Sequence, residues 1–581
     1  MCVDCTIVAN MAVPEGVSLY GGAAAVGVVA HLAYFNRYEC HMYAVRYLQL
    51  LTLTCAGGVV ALMNLQHQSF SAAASTVSAI TGSFLAGLYT SLLIYRLFLN
   101  PLNKFPGPFS ARLANISTSI AFRNSDAYYK LQDLHAKHGR IVRIGSNDLS
   151  ITDPNIMDAV YGRQSRCTKG QWYDNDAPWS SMHTTRSKAL HDKRRKVWAP
   201  AFSEKALRDY ETKVDGFSDL LVRKIAEKKG EKIDMRNWFN LFSFDVMAML
   251  AFGKDYGMLD KGEKHWALEL LDEGMQPLAF FLPTWFFRLL TAIPGLAAGY
   301  HNFIQFCVNE LNWRIDHAEE QDKKGGSDIM SWILRAYQEI SQPGKDPMLQ
   351  ADARLIIVAG SDTTAATFTY LFYHLAQHPE EVQKLRAELR PLTKGVWSDK
   401  DINHAEHLNG CIYEALRMHP PVPSGLQRLM PPEGMQVDGR HVPGHTVFYM
   451  PQYVMGRGKP PNPKTLPHLL LTSHRPRNLP LAQHLHPRTL VQQARNGAPQ
   501  GRLRALQRGA HGLHRQEPGP ERAAHDDGQA GAAVRYGVGR GRGREEVAGG
   551  DEGSFYCGSG GVGDCVSGDL GWWWVGVGRG R

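Results

Sequence analysis

The sequence predicts a mainly α-helical protein with small β-sheets, preceded by transmembrane helices. Apolar stretches near the N-terminus are each about long enough to cross a bilayer as a helix, which takes roughly 20 residues. Successive amphipathic helical patterns then cover residues 203–345, and short stretches on either side of that region predict strands. The pattern stops after Arg457, so the predicted fold is incomplete at the C-terminus.

The composition argues against several classes of protein. Of the 581 residues, 44% are hydrophobic and 20% are charged, which is typical of a globular protein rather than a disordered one. The formal net charge of +9 could indicate nucleic-acid binding, but no basic run alternates with aromatic residues. The nine cysteines are scattered without paired spacing, which argues against a disulfide framework.

Residues 1–96 are predicted to be a membrane region with up to three transmembrane helices. The candidate spans are Ser18–Phe35, Tyr47–Gln66 and Ala72–Ile94. Lysine and arginine are absent before Arg37 and again between Arg46 and Arg96. The positive-inside rule therefore places the N-terminus in the lumen and the chain after Arg96 in the cytosol.

A soluble domain is predicted to follow the proline-rich segment Pro101–Pro108, which is either a plain linker or a hinge. Tyr128–His138 has the period of an amphipathic helix, and short strands are predicted at Ile141–Gly145 and Asp148–Thr152. Towards the end of the domain, we expect a hairpin at Val437–Gly444 and a strand at Thr446–Met450.

The apolar helical stretch Leu355–Tyr373 is interrupted by small and polar residues. These are Ala359, Gly360, Ser361, Asp362, Thr363 and Thr364. Glycine and short hydrogen-bonding side chains are poor helix formers, so their presence inside an apolar helix needs a reason. They either cap two shorter helices or open the helix locally, so that Asp362 and Thr363 face a buried cofactor and hold water.

At these residues the chain resembles the cytochrome P-450 family of haem-thiolate monooxygenases, whose oxygen-activating helix carries Ala/Gly-Gly-x-Asp/Glu-Thr-Thr/Ser. The family's Glu-x-x-Arg signature follows as Glu414 and Arg417, with His419-Pro420-Pro421 behind it. The resemblance covers about Leu97–Arg457 and implies a cytochrome P-450 fold with haem b. The Pro101–Pro108 segment then corresponds to the hinge between the membrane region and the soluble domain.

The resemblance also implies roles for individual residues of the apolar helix and the second signature. Asp362 and Thr363 are expected to be catalytic and to relay protons through water. Ala359 and Gly360 are expected to bind the cofactor. Glu414 and Arg417 are expected to form a buried structural pair.

Three basic residues are candidates for binding the haem propionates. His191 and Arg195 lie four residues apart, so on a helix both could donate to one anion; the alternative is a solvated basic face. By resemblance they match the family's Trp-x-x-x-Arg helix, with histidine at the tryptophan position. Arg428 matches a position from which an arginine reaches a propionate.

The family's axial cysteine loop, Phe-x-x-Gly-x-x-x-Cys-x-Gly, is absent from this reading frame after Arg457. Cys557 and Cys565 lie in glycine-rich surroundings without that pattern, so we predict no metal ligand. The sequence therefore predicts a P-450 domain at residues 97–457 that lacks its haem-cysteine loop. Residues 458–581 are predicted to be an aberrant, disordered tail because they are rich in Arg, Gly, Pro and His without apolar periodicity.

The genetic code offers an explanation for the tail. Read one nucleotide later, codons compatible with residues 506–534 can spell the missing loop, and His486–Val491 can spell Pro-Glu-Arg-Trp, whose arginine completes the triad with Glu414 and Arg417. Gly458-Lys459 can contain a splice donor, and His474-Arg475 can end in an acceptor. Removing the 52-nucleotide segment between them shifts the frame, so we expect a retained intron.

We therefore expect a haem-dependent monooxygenase that hydroxylates or oxidises a small apolar organic substrate, in fungal secondary metabolism. Electrons are expected from NADPH through a cytochrome P-450 reductase, and the location is expected to be the endoplasmic reticulum membrane with the catalytic domain in the cytosol. The chain as written is expected to be inactive. The alternative is a non-catalytic membrane-bound relic or interaction protein.

Overall fold

The computed structural model describes residues 15–162, 164–271, 281–323, 328–339 and 342–457. The tail predicted at residues 458–581, with Cys557 and Cys565, lies outside the described residues. The chain divides into two compact units. The anchor unit comprises Met1–Thr118, Arg143–Asn147 and Leu282–Leu296, and the larger unit comprises Ser119–Val142, Asp148–Phe281 and Ala297–Arg581.

The anchor unit is built on long apolar helices. They are α1 (Glu15–Ala30), α2 (Ala44–Leu65) and α3 (Phe70–Ile94), followed by the short helix α4 (Phe109–Leu113). By length and composition, the segments Ser18–Phe35, His41–Leu65 and Phe70–Lys104 could cross a membrane, as predicted. Helices α1 and α3 approach closely, because a Cβ added at Gly27 would overlap the backbone of Phe84.

A helix from the middle of the sequence also belongs to the anchor unit. This helix, labelled α12 (Thr284–Ala292), contacts α2 and the helical turn His41–Tyr43 that precedes it. The turn lies in the connection between α1 and α2, which carries Arg37, and Arg46 follows in the first turn of α2. The positive-inside rule assigns this connection to the cytosol. The contact is therefore consistent with a cytosolic position for α12.

The larger unit is mainly helical. Its helices before α12 are α5 (Asn115–Ala121), which begins in the anchor unit, then α6 (Ala127–His138), α7 (Met157–Tyr161), α8 (Lys188–Trp198), α9 (Glu204–Glu227), α10 (Met235–Phe252) and α11 (Met258–Lys261). Those after α12 are α13 (Ala298–Asp316), α14 (Ala318–Lys323), α15 (Ile329–Leu334), α16 (Pro347–Gln377), α17 (Pro379–Leu392), α18 (Asp399–Ile402), α19 (Glu406–Met418) and α20 (Gln452–Arg457). The amphipathic helix predicted at Tyr128–His138 is confirmed as α6.

Two small sheets accompany these helices. Their strands are β1 (Ile141–Arg143), β2 (Asp148–Ile151), β3 (Thr168–Lys169), β4 (Arg428–Leu429), β5 (Met435–Val437), β6 (Arg440–Val442) and β7 (Val447–Tyr449). The larger sheet has the order β1-β2-β7-β4-β3, and β5 pairs with β6. The predicted hairpin is confirmed, with Asp438 and Gly439 at its turn in positive φ.

Helix α16 runs through the hydrophobic core of the larger unit. It packs against α10 and α13, and buried residues such as Leu355, Ile356 and Phe368 belong to the main apolar cluster. This helix is also long and apolar enough to cross a membrane, yet 44% of its most apolar 18-residue stretch is buried inside the protein. The burial gives its apolar composition a structural reason, because a helix that is apolar on all sides suits a core.

Candidate active site

The predicted site residues of α16 lie in its middle, where half-buried positions alternate with buried ones. Residues 351–357 are buried, whereas Ala359, Asp362 and Thr363 are each half-buried. The half-buried positions 359, 363 and 367 recur at helical spacing and therefore share one face. This face presents small and polar groups along an otherwise apolar helix.

The structure contradicts both explanations that the sequence left open for the polar residues. Helix α16 is α-helical without interruption from Pro347 to Gln377, so it is neither two capped helices nor locally opened. The hydroxyls bond within the helix instead: Thr363 Oγ1 donates to Ala359 O at 2.7 Å, and Ser361 Oγ donates to Ile357 O at 2.6 Å. Each hydroxyl shares a carbonyl with the helix ladder rather than replacing it, so the polar residues fit an intact helix.

Gly360 has a packing role that the sequence did not reveal. A Cβ added to it would lie 2.6 Å from Met247 Cγ and closer still to the Met247 sulfur and methyl group. Met247 belongs to α10, the helix that makes most of the contacts with α16. Gly360 therefore lets α10 approach α16, which is a different role from the cofactor binding that was predicted for it.

A cluster of basic side chains forms around strands β3 and β4. The cationic cluster, as we name it, consists of Lys169, His183, His191 and Arg428. The antiparallel register places Lys169 directly opposite Arg428. Like charges opposite each other in a sheet destabilise it unless an anion offsets them.

The pKa values of the cationic cluster show this repulsion. Burial, followed by the Arg428 charge, lowers the pKa of Lys169 to about 7. Burial, followed by Lys169 and Arg428, lowers the pKa of His183 to about 3. These groups lie deep in the larger unit and still retain accessible surface. The positive charge of this site at neutral pH is that of Arg428 and of Lys169 where it is protonated, and this charge favours a bound anion.

Arg428 is held in place by its surroundings. Its Nη1 donates to Tyr173 Oη at 2.7 Å and to Gln427 O at 2.9 Å, and its guanidinium lies 5.1 Å from the centre of the Tyr161 ring. On the other side of the cluster, Lys169 Nζ donates to the carbonyl oxygens of Met182 and His183 at 3.2 and 2.5 Å. These contacts orient both cations before any ligand binds.

Helix α8 contributes His191 and Arg195. Ser187 caps its N-terminus by accepting a hydrogen bond from Leu190 N. His191 is half-buried, and its Nδ1 lies 3.1 Å from Asp192 Oδ1. Burial lowers the pKa of His191 first, and Lys169 and Arg195 lower it further, while Asp192 opposes them. His191 therefore shares its electrostatic environment with Lys169 and with Arg195 of its own helix.

Glu414 and Arg417 form a bidentate ion pair on α19. Arg417 Nε donates to Glu414 Oε2 at 2.8 Å, and Arg417 Nη2 donates to Glu414 Oε1 at 2.6 Å. Arg417 also donates to Gly456 O, which ties α19 to α20. Glu414 is 4% exposed, so the pair is buried, and removing one partner would leave an uncompensated charge.

A small apolar cavity of about 60 Å³ lies in the larger unit. It is lined by aromatic and aliphatic residues that include Tyr128, Trp172, Phe281, Leu426 and Tyr449. Its polar lining residue Gln427 is already engaged, because Trp172 N donates to its Oε1 at 2.7 Å and its Nε2 donates to Tyr449 Oη at 2.8 Å. The cavity therefore suits an apolar group.

Comparison with known proteins decides the family. The sequence model of the family described as Cytochrome P450 matches residues 106–463, which is more than half of the chain. The chain belongs to the cytochrome P450 family. This P450 is therefore a haem-iron enzyme by family, and the family takes its electrons from a redox partner.

Similar proteins of this P450 occur in filamentous fungi. Cytochrome P450 monooxygenase notG' of Aspergillus versicolor is 40% identical over 435 residues, covering 74% of this chain and 79% of that protein. Cytochrome P450 monooxygenase lcsK of Purpureocillium lilacinum is 40% identical over 451 residues, covering 76% and 81%. Tryprostatin B 6-hydroxylase of Aspergillus fumigatus is 37% identical over 450 residues, covering 75% and 79%.

The described residues of the P450 fit one end of haem. Haem carries two propionate carboxylates, and the cationic cluster offers lysine and arginine donors whose mutual repulsion a dianion would relieve. The axial thiolate has no such match among the described cysteines. Burial raises the thiol pKa of Cys167, Cys307 and Cys411, which disfavours the thiolate form, and Cys40 and Cys55 lie in the anchor unit.

Sequence reasoning missed Lys169 and His183. Lys169 stands in the short segment Cys167-Thr-Lys-Gly, and His183 stands in the irregular stretch before α8, and neither has a local pattern that indicates a site. Only the pairing of β3 with β4 places Lys169 beside Arg428. Partners so far apart in the sequence leave no local signal.

Proposed function

We propose that the gene for this chain encodes a monooxygenase that inserts one oxygen atom from O₂ into a small apolar organic substrate of fungal secondary metabolism. The cationic cluster carries the proposal, because Lys169 and Arg428 lie opposite each other with their charges uncancelled in a place suited to a dianion. The apolar cavity beside Tyr449 supports an apolar substrate. The relatives support the pathway class, since one of them is named as a hydroxylase of tryprostatin B.

Three cationic side chains and one histidine are proposed to hold the two haem propionates. Arg195 and Arg428 provide guanidinium donors, Lys169 provides an ammonium group, and His191 provides a ring N–H. When bound through a cysteine thiolate, haem supplies the activation of O₂. The protein residues contribute binding and orientation of this group.

Asp362 and Thr363 are proposed to relay protons along the accessible face of α16. Thr363 Oγ1 donates its own proton to Ala359 O, so its lone pairs stay available to accept a hydrogen bond from water. The Asp362 carboxyl group can then exchange protons with the same water. Ala359 keeps this face small, which leaves room for the cofactor and the water.

Electron supply and location follow from the anchor unit and the family. We propose that NADPH-cytochrome P450 reductase delivers the electrons, and that the protein resides in the endoplasmic reticulum membrane with its catalytic domain in the cytosol. The contact of α12 with the turn His41–Tyr43 supports this topology, since that turn lies in the connection assigned to the cytosol.

We further propose that the chain as written is inactive because a retained intron shifts its reading frame. In this proposal, residues 1–96 form the membrane region, residues 97–457 form the P450 domain, and residues 458–581 are the aberrant tail. The family match ends at residue 463, although the chain continues to Arg581.

The experiment compares the chain as written with a version lacking the 52-nucleotide segment between codons 458 and 475. Both are expressed, reduced and exposed to carbon monoxide, because the strongly red-shifted Soret band reports thiolate ligation. We expect the band only from the shortened version. A thiolate band from the chain as written would overturn the frame argument.

A non-catalytic membrane-bound relic or interaction protein is the second candidate. The missing thiolate among the described residues favours it for the chain as written. Sequencing the transcript across codons 450–480 separates the two: removal of the segment in the mature transcript supports the enzyme, and its retention in all transcripts supports the relic.

A further inference from the structure

A buried carboxylate on α16 joins two segments that carry the cationic cluster. Asp352 is 0% exposed and lies ten residues before Asp362 on the same helix. Its Oδ2 accepts hydrogen bonds from Arg194 Nε at 2.5 Å and Trp198 Nε1 at 2.9 Å, and its Oδ1 accepts one from Met182 N at 2.8 Å. We call Asp352 and these three partners the Asp352 network.

The first branch of the Asp352 network leads to Lys169 and His183. Met182 donates its N–H to Asp352, and its carbonyl oxygen accepts a hydrogen bond from Lys169 Nζ. His183 is the next residue, and its carbonyl also accepts from Lys169. One residue of backbone therefore connects the Asp352 carboxylate to the lysine of the cationic cluster.

The second branch leads to His191 and Arg195. Arg194 and Trp198 are the buried residues of α8, and both bind Asp352. His191 lies one helical turn before Arg194, and Arg195 follows it directly. The contacts that Asp352 makes with the buried face of α8 therefore determine where His191 and Arg195 lie relative to α16.

Two further contacts attach the segment before α8, which contains Met182 and His183, to the start of α16. Trp179 Nε1 donates to Gln350 Oε1 at 3.2 Å, and Arg354 Nη2 donates to Asp176 Oδ2 at 2.5 Å. Neither contact involves Asp352, so we expect both to persist when its charge is removed and the segment to stay attached to the helix. Loss of that charge should then move the cationic cluster without detaching the segment.

We propose that Asp352 is a positioning residue that places the cationic cluster to receive the two carboxylates of haem. This inference rests on the proposed function. Asp352 touches no cofactor itself; it acts through Met182 and Arg194. Without its charge, Arg194 becomes an uncompensated buried cation beside Arg195 and shifts to find another anion.

The test measures binding of protoporphyrin IX, which has no iron and so needs no axial cysteine. The full chain in detergent is titrated with protoporphyrin IX and, separately, with its dimethyl ester, in which both carboxylates are blocked. The ratio of the two affinities measures recognition of the carboxylates alone. We expect the parent to prefer the free acid and Asp352→Asn to reduce that preference about tenfold, the effect of losing roughly one charge-assisted hydrogen bond.

A second buried ion pair provides a matched control. Arg314 Nε lies 2.7 Å from Asp328 Oδ2, and the two side chains are 0% and 1% exposed. This pair lies on α13 and at the start of α15, and neither residue belongs to the cationic cluster or the Asp352 network. Asp328→Asn should lower stability and leave the ratio of acid to ester affinity unchanged.

A milder variant protects the test against unfolding. Trp198→Phe removes one hydrogen bond to Asp352 and keeps the carboxylate and Arg194. It should lower the preference for the free acid in the same direction by a smaller factor.

The outcomes separate the inference from the proposed function. A parent with no preference for the free acid contradicts the carboxylate site and overturns the proposed function together with the inference. A parental preference that persists in both Asp352→Asn and Trp198→Phe overturns the inference alone. An equal loss of acid and ester binding in these variants would show that Asp352 supports only the fold, which also overturns it.

Discussion

Replacing Gly360 by alanine tests the packing role that the structure gives to this residue. The new methyl group would lie 2.6 Å from Met247 Cγ, well inside van der Waals contact. Because the collision reaches Cγ, rotation of the Met247 terminus alone cannot relieve it, and the whole side chain must leave its rotamer. The helix α16 therefore has to move away from α10, or Met247 has to repack.

The magnitude follows from two opposing contributions. Alanine in a helix interior is more favourable than glycine by about 1 kcal/mol. Overpacking of a core costs about 1–3 kcal/mol. The free energy of unfolding of Gly360→Ala should therefore be lower than that of the parent by about 0–2 kcal/mol.

Gly216 provides the control for helix propensity. It is exposed on α9, and an added Cβ would meet nothing within 4 Å. Gly216→Ala should raise the free energy of unfolding by about 1 kcal/mol. The two substitutions are chemically the same, so the difference between them, about 1–3 kcal/mol, isolates the collision with Met247.

The assay is chemical unfolding of the detergent-solubilised chain, followed by circular dichroism. The double variant Gly360→Ala with Met247→Ala completes a mutant cycle, and we expect the two changes to couple favourably, because the smaller side chain makes room for the methyl group. The reasoning is refuted if Gly360→Ala stabilises the chain as much as Gly216→Ala does.

Three further predictions concern the chemistry, the topology and the cationic cluster. In the version lacking the 52-nucleotide segment, Asp362→Asn and Thr363→Ala should keep haem but lose coupling of electron consumption to product; parental hydroxylation rates in both would contradict the relay. Protease added to intact microsomes should digest the chain after Arg96 and spare a tag at Met1. Protection of the larger unit from the protease would contradict the predicted topology. Lys169 has a folded pKa of about 7 against an ordinary value of 10.5, so between these values the unfolded chain binds more protons and stability rises with pH. A bound dianion favours the charged form of Lys169, so above pH 7 the binding of protoporphyrin IX should be accompanied by uptake of a proton by this lysine. Calorimetry in two buffers of different ionisation enthalpy measures the uptake. Lys169→Met should abolish it.

Periodicity and local motifs were enough to predict much of the fold. The anchor helices, α6, the hairpin β5–β6 and strand β7 follow from the spacing of apolar residues and from turn residues, which act within a few positions along the chain. The Glu414–Arg417 pair was expected from the resemblance to the family's Glu-x-x-Arg signature, and in the structure the two side chains are neighbours because they lie three residues apart on a helix.

Whether α16 stays a continuous helix through residues 359–364 could not be predicted in this way. The sequence showed that residues 359–364 are poor helix formers, but it could not show whether the helix would break. The core around α16 fixes the backbone, and the hydroxyls of Ser361 and Thr363 then bond to carbonyls one turn back. Packing against α10 thus overrides local propensity and gives Gly360 its place.

The sequence by itself determined the family and the apolar N-terminal helices, because motifs and apolar runs are marked by their immediate neighbours; the family resemblance then predicted His191, Arg195, Arg428, Asp362 and Thr363 as site residues. Only the tertiary structure brought Lys169 opposite Arg428 and joined Met182, Arg194 and Trp198 to Asp352. The contacts of Asp352 span more than 150 residues of chain, from 154 between Trp198 and Asp352 to 170 between Met182 and Asp352. Their physical cause is that a buried charge needs a hydrogen-bonding or charged partner. The fold can supply that partner from any part of the chain, so the contact leaves no pattern along the sequence.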